Sequence, residues 1–227
     1  MKAMNLLKNI VKRTPIYPYY KRIKEERVTT NWYKTGKPVP PPHFIKQGVV
    51  KEYAKKFSIT ILIETGTYLG EMISAVKDVF DEIYSIELDI DIFTNAKKKF
   101  VNIKNVHIIL GDSSEILPEL LTLIEQPCLF WLDGHYSGGI TAKGDLNTPI
   151  LNELKSIFSH KNKGHVILID DARCFTGQED YPTIRALKEF VIKNRPDYLF
   201  KVKDDIIRIH KYVPDNISKD KFKKINK

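Results

Sequence analysis

The stretch T-I-L-I-E-T-G-T-Y-L-G, residues 60–70, decides which fold this sequence predicts. Its first half is an apolar run that ends on Glu64, as expected of a strand buried in a parallel sheet. Gly66 and Gly70 follow, and glycine permits the tight turn and the close backbone approach that a ligand-binding loop requires. The stretch therefore predicts a strand, a ligand-binding loop and the start of a helix.

Short β-branched runs alternate with amphipathic segments along the chain from Ser58 onwards. This alternation is typical of an α/β fold in which helices wrap a mostly parallel sheet. The predicted strands are Thr60–Glu64, Glu82–Glu87, Val106–Leu110, Cys128–Asp133, His165–Asp170, Tyr198–Lys203 and Ile206–His210. The predicted helices between them are Gly70–Val79, Asp91–Phe100, Ser114–Leu123, Thr148–Ser159 and Tyr181–Lys193.

The N-terminal part of the sequence has a different pattern. Its aromatic residues and its proline cluster, which ends at Pro42, predict an irregular leader over residues 1–42 with one short helix at Asn5–Arg13. The apolar spacing of His43–Phe57 predicts a helix that covers the sheet edge or the ligand pocket. The leader is a candidate for a lid or for a homodimer contact. The predicted units are an extension at 1–57, a ligand-binding domain at 58–212 and a basic tail at 213–227.

The composition is that of a globular protein. Of the 227 residues, 42% are hydrophobic and 29% are charged, which is the ordinary balance for a folded domain. The apolar runs are far shorter than the roughly 20 residues of a membrane span. The N-terminus lacks a signal-peptide cleavage site, and two cysteines are no disulfide framework. The sequence therefore predicts a cytoplasmic protein without a membrane span.

The net charge of +9 is concentrated at the two ends of the chain. A positive excess attracts nucleic acid, anionic membranes or anionic substrates. A lysine-rich solvated surface accounts for the excess more simply than a nucleic-acid groove does. A nucleic-acid partner is therefore not expected, although RNA stays open as an alternative.

Three acids follow three successive predicted strands. The acid in front of the glycines, Glu64, suits the ammonium of an amino acid such as that of S-adenosylmethionine better than it suits a pyrophosphate. Glu87 ends the second strand, where an acid commonly accepts the hydroxyls of a ribose. Asp112 in G-D-S-S is placed to accept from an adenine amino group, while Ser113 or Ser114 caps the next helix. For each acid, a purely structural capping role is the alternative.

The motifs E-T-G-T-Y-L-G, Y-S-I-E and G-D-S-S resemble the cofactor motifs of class I S-adenosylmethionine-dependent methyltransferases, over residues 58 to about 211. The resemblance implies a Rossmann-like, doubly wound, seven-stranded sheet with a reversed final strand and helices on both faces. It also implies S-adenosylmethionine as cofactor. The implied cofactor-binding residues are Glu64, Gly66, Thr67, Tyr68 and Gly70 for the methionine half, Glu87 for the ribose, Asp112 and Ser113 for the adenine, and Asp133. The N/D-P-P-Y/F tetrapeptide of amino-methylating enzymes is absent after the fourth strand.

Further acids end the fourth and fifth predicted strands. Asp133 follows F-W-L, and Asp170 and Asp171 follow V-I-L-I. Carboxylates gathered at one sheet edge repel each other unless a cation neutralises them, and oxygen ligands suit Mg²⁺. The arrangement is similar to that of catechol and macrocin-type sugar O-methyltransferases. This resemblance implies a metal site at the three acids and methylation of a hydroxyl on a sugar, polyol or other glycan or small-molecule acceptor.

The loop D-G-H-Y-S-G-G departs from the usual continuation in those enzymes. His135, whose ordinary pKa lies near neutrality, is the candidate general base beside Asp133. A metal ligand or a loop-fixing histidine is the alternative. Other candidates are Tyr136 for the lining of the acceptor pocket, Lys143 and Arg173 for contacts to an anionic substrate, and Gly138, Gly139 and Gly144 for a closing loop.

Two other classes of function stay open at this point. One is an RNA methyltransferase that uses the basic ends of the chain. The other is a nicotinamide-binding or non-catalytic cofactor-binding protein, against which the spacing E-x-G-x-x-x-G speaks.

Overall fold

The computed structural model describes residues 17–134 and 148–212, which form one seven-stranded sheet. The strand order is β3-β2-β1-β4-β5-β7-β6, and β7 runs antiparallel to both of its neighbours. The strands are β1 Ile61–Thr65, β2 Glu82–Glu87, β3 Val106–Leu110, β4 Leu129–Leu132, β5 Val166–Ile169, β6 Tyr198–Lys203 and β7 Ile206–Lys211. The predicted mostly parallel sheet with a reversed final strand is confirmed.

Seven α-helices and one short 3₁₀ turn connect the strands within the described residues. The helices are α1 Tyr17–Lys34, α2 His43–Phe57, α3 Glu71–Val76, α4 Ile90–Phe100, α5 Ser113–Thr122, α6 Ile150–Ser159 and α7 Ile184–Asn194, and the 3₁₀ turn is Ala172–Cys174. The helix after β1 and the helix before β6 are observed with ends a few residues away from the predicted ones. Such differences at the ends of helices are usual. None of the described helices is both long enough and apolar enough to cross a membrane.

The sheet is buried on both faces, as predicted for parallel strands. Alternate side chains of a strand point to opposite faces, so Ile63 joins the core under α5, α6 and α7. Its neighbour Leu62 joins the core under α2, α3 and α4. The central strand β4 contributes Phe130 to the first core and Trp131 to the second. Helices therefore cover both faces, in agreement with a doubly wound sheet.

The N-terminal segment is more helical than the sequence predicted. The prediction of an irregular leader is wrong over Tyr17–Lys34, which forms α1. Pro18 does not prevent it, because a first-turn residue has no intrahelical partner for its N–H. Trp32 anchors the end of α1, since its buried ring donates from Nε1 to the carbonyl of Pro38 at 2.8 Å. The predicted helix at Asn5–Arg13 and the basic tail at 213–227 lie outside the described residues.

Helix α2 covers the sheet, as its spacing predicted, and packs on β4, β5 and α3. Val49, Val50 and Ala54 lie on its buried face, and the helix ends at Ser58 in the left-handed conformation. Lys46 lies on the same buried face although it is charged. A buried lysine requires a partner, and the partners of Lys46 lie at the ends of the strands.

Candidate functional site

The candidate site lies where the strand order reverses. β1 and β4 are neighbours in the sheet, and the chain leaves them in opposite directions along it, to β2 on one side and β5 on the other. Ligands of open α/β sheets bind at this point, outside the carboxyl ends of the strands. The register pairs Thr65 with Leu132 and Leu132 with Ile169, so the residues that follow these strands meet at one edge.

The loop after β1 requires glycine for steric reasons. Gly66 has a φ of 83°, and a Cβ at this position would lie 2.6 Å from the carbonyl oxygen of Asp133. Gly70 has a φ of 62°, and its Cβ would lie 2.5 Å from the ring of Phe100. The two glycines therefore let the loop pass close to β4 and to α4 at once, and Tyr68 between them adopts a φ of 46°.

Glu64 is a buried acid at the end of β1. Its carboxylate accepts a hydrogen bond of 2.6 Å from the hydroxyl of Ser85, which is also 2.7 Å from the hydroxyl of Thr67. Burial raises the pKa of Glu64 to about 8, against the opposing effect of the Ser85 hydrogen bond. Negative charge on Asp133 and Glu87 raises the pKa further. Glu64 is therefore placed to gain from a cationic partner.

Glu87 holds the glycine loop in place. One carboxylate oxygen accepts from the backbone N–H of Tyr68 at 2.9 Å, and the other accepts from that of Asp89 at 3.0 Å. Asp89 in turn is the N-cap of α4. Glu87 thus connects the end of β2 to the loop of β1, which brings the two predicted cofactor acids to the same edge.

Asp112 caps α5, which corrects the prediction that a serine does so. The Asp112 carboxylate accepts from the backbone N–H and from the hydroxyl of Ser114, both at 2.7 Å. Ser113 is buried, and its hydroxyl donates to Glu153 at 2.7 Å. Adenine recognition by Asp112 and Ser113 stays a prediction, and for Ser113 it concerns the backbone, because its hydroxyl is engaged.

Glu153 is a residue of this region that the sequence reasoning missed. It lies on the buried face of α6. Its carboxylate is close to Gly134, because a Cβ added to Gly134 would lie 3.5 Å from the Glu153 carboxylate. Burial raises its pKa to about 7, partly offset by the hydrogen bond from Ser113. The sequence could have indicated Glu153, because it is an acid at an apolar position of the amphipathic segment 150–159 and buried acids usually have a specific partner.

The predicted grouping of Asp133, Asp170 and Asp171 is confirmed. Each contributes a carboxylate oxygen, and these oxygens lie within 4.8 Å of one another. The ammonium of Lys46 lies 2.5 Å from Asp170 Oδ2 and 3.1 Å from Asp171 Oδ1. The sequence reasoning missed Lys46, because it precedes the first strand and belongs to the helix assigned to the extension.

Arg173 completes the cluster from the other side. It was predicted as an acceptor contact, but its guanidinium binds Asp171 through two hydrogen bonds of 2.7 and 3.0 Å and also bonds Asp205. These contacts raise the pKa of Arg173 despite its partial burial. Arg173 is therefore a bidentate partner of the buried acids.

With Lys46 in this position, a divalent ion would fit the cluster only by displacing protein donors. Asp170 Oδ1 accepts from the N–H of Asp171 at 2.8 Å, and its Oδ2 accepts from Lys46. Both oxygens of Asp171 accept from Lys46 or Arg173. A metal ion would have to replace protein donors on both residues, so the metal stays a prediction that competes with Lys46. Burial and the negative charges of Asp133 and Asp171 hold the pKa of Asp170 above its usual range.

The candidate base His135 lies outside the described residues, as do Tyr136, Lys143, Gly138, Gly139 and Gly144. A second histidine reaches this edge from α2. His43 Nδ1 lies 3.7 Å from a carboxylate oxygen of Glu71 and 2.8 Å from Gln47 Nε2. Burial lowers the pKa of His43, against the opposing effects of Glu71 and Asp133. The sequence offered no acidic partner near His43, because Glu71 and Asp133 approach only in the folded chain.

No protein-family model and no curated protein sequence matches this chain. Solved structures do match it. The O-methyltransferase TomG from Streptomyces achromogenes, in complex with S-adenosylmethionine, is 14% identical, with a TM-score of 0.57 over 83% of this chain and 88% of TomG. An O-methyltransferase from Bacillus cereus, in complex with S-adenosylhomocysteine, is 12% identical, with a TM-score of 0.55 over 82% of this chain and 90% of that one.

A caffeoyl-CoA-type enzyme is also similar. The putative caffeoyl-CoA O-methyltransferase from Staphylococcus aureus is 12% identical, with a TM-score of 0.53 over 93% of this chain and 98% of that one. Identities this low establish the architecture alone. The chain has the α/β fold of class I S-adenosylmethionine-dependent O-methyltransferases, with a seven-stranded sheet whose final strand is reversed.

Proposed function

We propose that the protein is an S-adenosylmethionine-dependent methyltransferase that methylates a hydroxyl of a small-molecule acceptor such as a sugar or polyol. One observation carries the cofactor half of this proposal. Glu64 and Glu87 lie at the carboxyl ends of adjacent strands and contact one glycine loop, Glu64 through Ser85 and Thr67 and Glu87 through the N–H of Tyr68. An acid at the end of the second strand commonly accepts from ribose hydroxyls, and a buried acid beside it gains from a ligand ammonium.

Each proposed cofactor-binding residue is assigned to the part of S-adenosylmethionine that suits its chemistry. Glu64 pairs with the ammonium of the methionine half, which gives its buried carboxylate a cationic partner. Glu87 accepts from the ribose, and Asp112 accepts from the adenine amino group. The loop from Gly66 to Gly70, whose glycines let it pack against Asp133 and Phe100, lies along the methionine half. Thr67 and Tyr68 belong to this loop; the backbone of Asp133 adjoins it, and the carboxylate of Asp133 belongs to the acceptor side.

The acids beyond β4 and β5 form the acceptor side. Carboxylates are acceptors for the several hydroxyls of a sugar or polyol, which favours this acceptor class over an apolar one. In the transfer, an acceptor oxygen attacks the methyl carbon and the sulfur leaves with its electron pair as a thioether. The hydroxyl proton passes to a base, for which His135 is the candidate from sequence and His43 is the described histidine at this edge.

Binding of the cofactor product tests the proposal first. Calorimetric titration of the full chain should show binding of S-adenosylhomocysteine and none of NAD. Sugar and polyol acceptors are then screened for transfer of a deuterated methyl group by mass spectrometry. NAD binding without S-adenosylhomocysteine binding would contradict the proposal in favour of a nicotinamide protein. Polynucleotide binding that weakens steeply with salt, together with methylated RNA, would favour the RNA alternative.

A further inference from the structure

Lys46 is a buried lysine in a region of the chain that precedes the whole sheet. It lies on the face of α2 that packs on β4 and β5, next to the apolar residues Val49 and Val50. Removing an ammonium from water is costly unless it is paired and hydrogen-bonded. A lysine at this position is therefore explained by its partners and not by the packing of the helix.

Those partners are the two acids that end β5. The ammonium donates to Asp170 across 124 residues of sequence and to Asp171 across 125. Asp170 Oδ2 lies 2.5 Å and Asp171 Oδ1 lies 3.1 Å from the ammonium, so each carboxylate accepts a charge-assisted hydrogen bond from it.

The position of this charge matters for the acceptor side. A divalent ion bound to Asp133, Asp170 and Asp171 would have to share the carboxylate oxygens that the ammonium contacts. A divalent ion carries twice the charge of the Arg173 guanidinium, which already shares Asp171 Oδ1 with Lys46, and a buried site screens its repulsion from the ammonium only weakly. The lysine and the metal are thus alternative occupants of one place.

We propose that the ammonium of Lys46, together with the guanidinium of Arg173, supplies the resident positive charge of the acid cluster, that Lys46 positions Asp170 and Asp171 beside the acceptor, and that methyl transfer requires no divalent metal ion. The part concerning the acceptor rests on the proposed function, whereas the part concerning the cation does not. Since the charge comes from α2, docking of this helix completes the acceptor side of the site.

Manganese binding tests the cation without any need for turnover. The full-length protein is titrated with Mn²⁺ and free Mn²⁺ is followed by electron paramagnetic resonance. The wild type should bind no Mn²⁺ through the cluster, whereas Lys46→Met should gain a site that Asp170→Asn removes again. Lys51→Met, which replaces an exposed lysine of the same helix, should behave as the wild type. Wild-type Mn²⁺ binding that Asp170→Asn abolishes would overturn the proposal.

Turnover tests the positioning role once an acceptor is known. EDTA should leave the wild-type kcat unchanged. Lys46→Met should lower kcat by about 100-fold, because displaced acids misplace the acceptor, while the Kd for S-adenosylhomocysteine stays within about 3-fold. Lys46→Arg, which keeps the charge, should recover part of kcat. Loss of wild-type turnover in EDTA with recovery in Mg²⁺ would overturn the proposal.

The two readouts separate this inference from the proposed function. If the protein binds no S-adenosylhomocysteine, the proposed function fails, but Mn²⁺ titration still decides what occupies the cluster. If Lys46→Met does not fold, the Mn²⁺ titrations of Lys46→Arg and of the wild type still decide which cation occupies the cluster. A wild type that excludes Mn²⁺ supports the proposal, and one that binds it through Asp170 overturns it.

Discussion

Glu64 and Ser85 are directly paired residues of β1 and β2, and the Ser85 hydroxyl donates to the Glu64 carboxylate at 2.6 Å. This hydrogen bond favours the charged carboxylate, yet burial is the larger effect and raises the pKa to about 8. The acid is therefore mostly protonated near pH 7 in the protein without its cofactor. A ligand ammonium changes this balance.

The first prediction is that cofactor binding releases a proton. An ammonium favours ionised Glu64, so binding at pH 7 drives the carboxyl from its protonated to its charged form. Affinity for S-adenosylhomocysteine should rise with pH up to about 8, the pKa of the free acid. Calorimetry in buffers of different ionisation enthalpy measures the released proton. Glu64→Gln should abolish this release, and a wild type that releases none would contradict the assignment.

Gly66→Ala should destabilise the protein much more than Gly36→Ala. Both glycines have a φ near 80°, so both substitutions incur the left-handed penalty of roughly 1–2 kcal/mol. Only the Cβ at Gly66 meets the Asp133 carbonyl, at 2.6 Å, whereas the Cβ at Gly36 meets nothing within 4 Å. Thermal unfolding of both variants measures the difference. Equal Tm losses would show that the steric contact is unimportant.

Replacement of Glu87 should weaken cofactor binding. Glu87→Ala removes the acceptor of the Tyr68 and Asp89 N–H groups together with the proposed ribose contact. Loss of the charge-assisted hydrogen bonds to the two ribose hydroxyls predicts that S-adenosylhomocysteine binds at least roughly 100-fold more weakly. Calorimetric titration checks it. Glu82→Ala at the other end of β2, where the side chain pairs with His107 at the surface, should leave the affinity unchanged.

Asp133→Asn should lower turnover and spare cofactor affinity. The prediction follows from its place between the cofactor loop and the acids Asp170 and Asp171. The substitution keeps the size of the side chain and removes its charge. Measured kcat should fall by about 100-fold, because the acceptor loses a charged group that positions it. A large rise in the Kd for S-adenosylhomocysteine with unchanged kcat would place Asp133 on the cofactor side instead.

Buried His165 should make the protein less stable in acid. Its Nδ1 accepts from the N–H of Cys128 at 3.0 Å and its Nε2 is 2.8 Å from His160, and burial lowers its pKa from 6.5 to about 4. The unfolded chain binds this proton at higher pH than the folded chain, so stability falls as pH drops from 6.5 towards 4. Between pH 6.5 and 4 the free energy of unfolding, measured in urea, should fall by about 3 kcal/mol more for the wild type than for His165→Gln. Parallel pH profiles would contradict this.

The order of strands and helices followed from the sequence, because both depend on patterns within about ten residues. Six of the seven observed helices and all seven strands lie where alternation and spacing predicted them. The exception, α1, has mostly exposed side chains and so no clear apolar face to reveal it. The edge at which Glu64, Glu87 and Asp133 meet was also predictable, since parallel strands end at one side of a sheet.

Which groups touch these acids was decided by the tertiary structure. Lys46 contacts Asp170 from 124 residues away, and no local pattern distinguishes it from the exposed lysines of the same helix. Glu153 and Ser113 likewise meet only because α6 packs beside α5. Sequence alone determined where carboxylates gather, because strand ends are set locally. Only the folded chain brought Lys46 and Arg173 to Asp170 and Asp171, because electrostatic partners are chosen by distance in space and not along the chain.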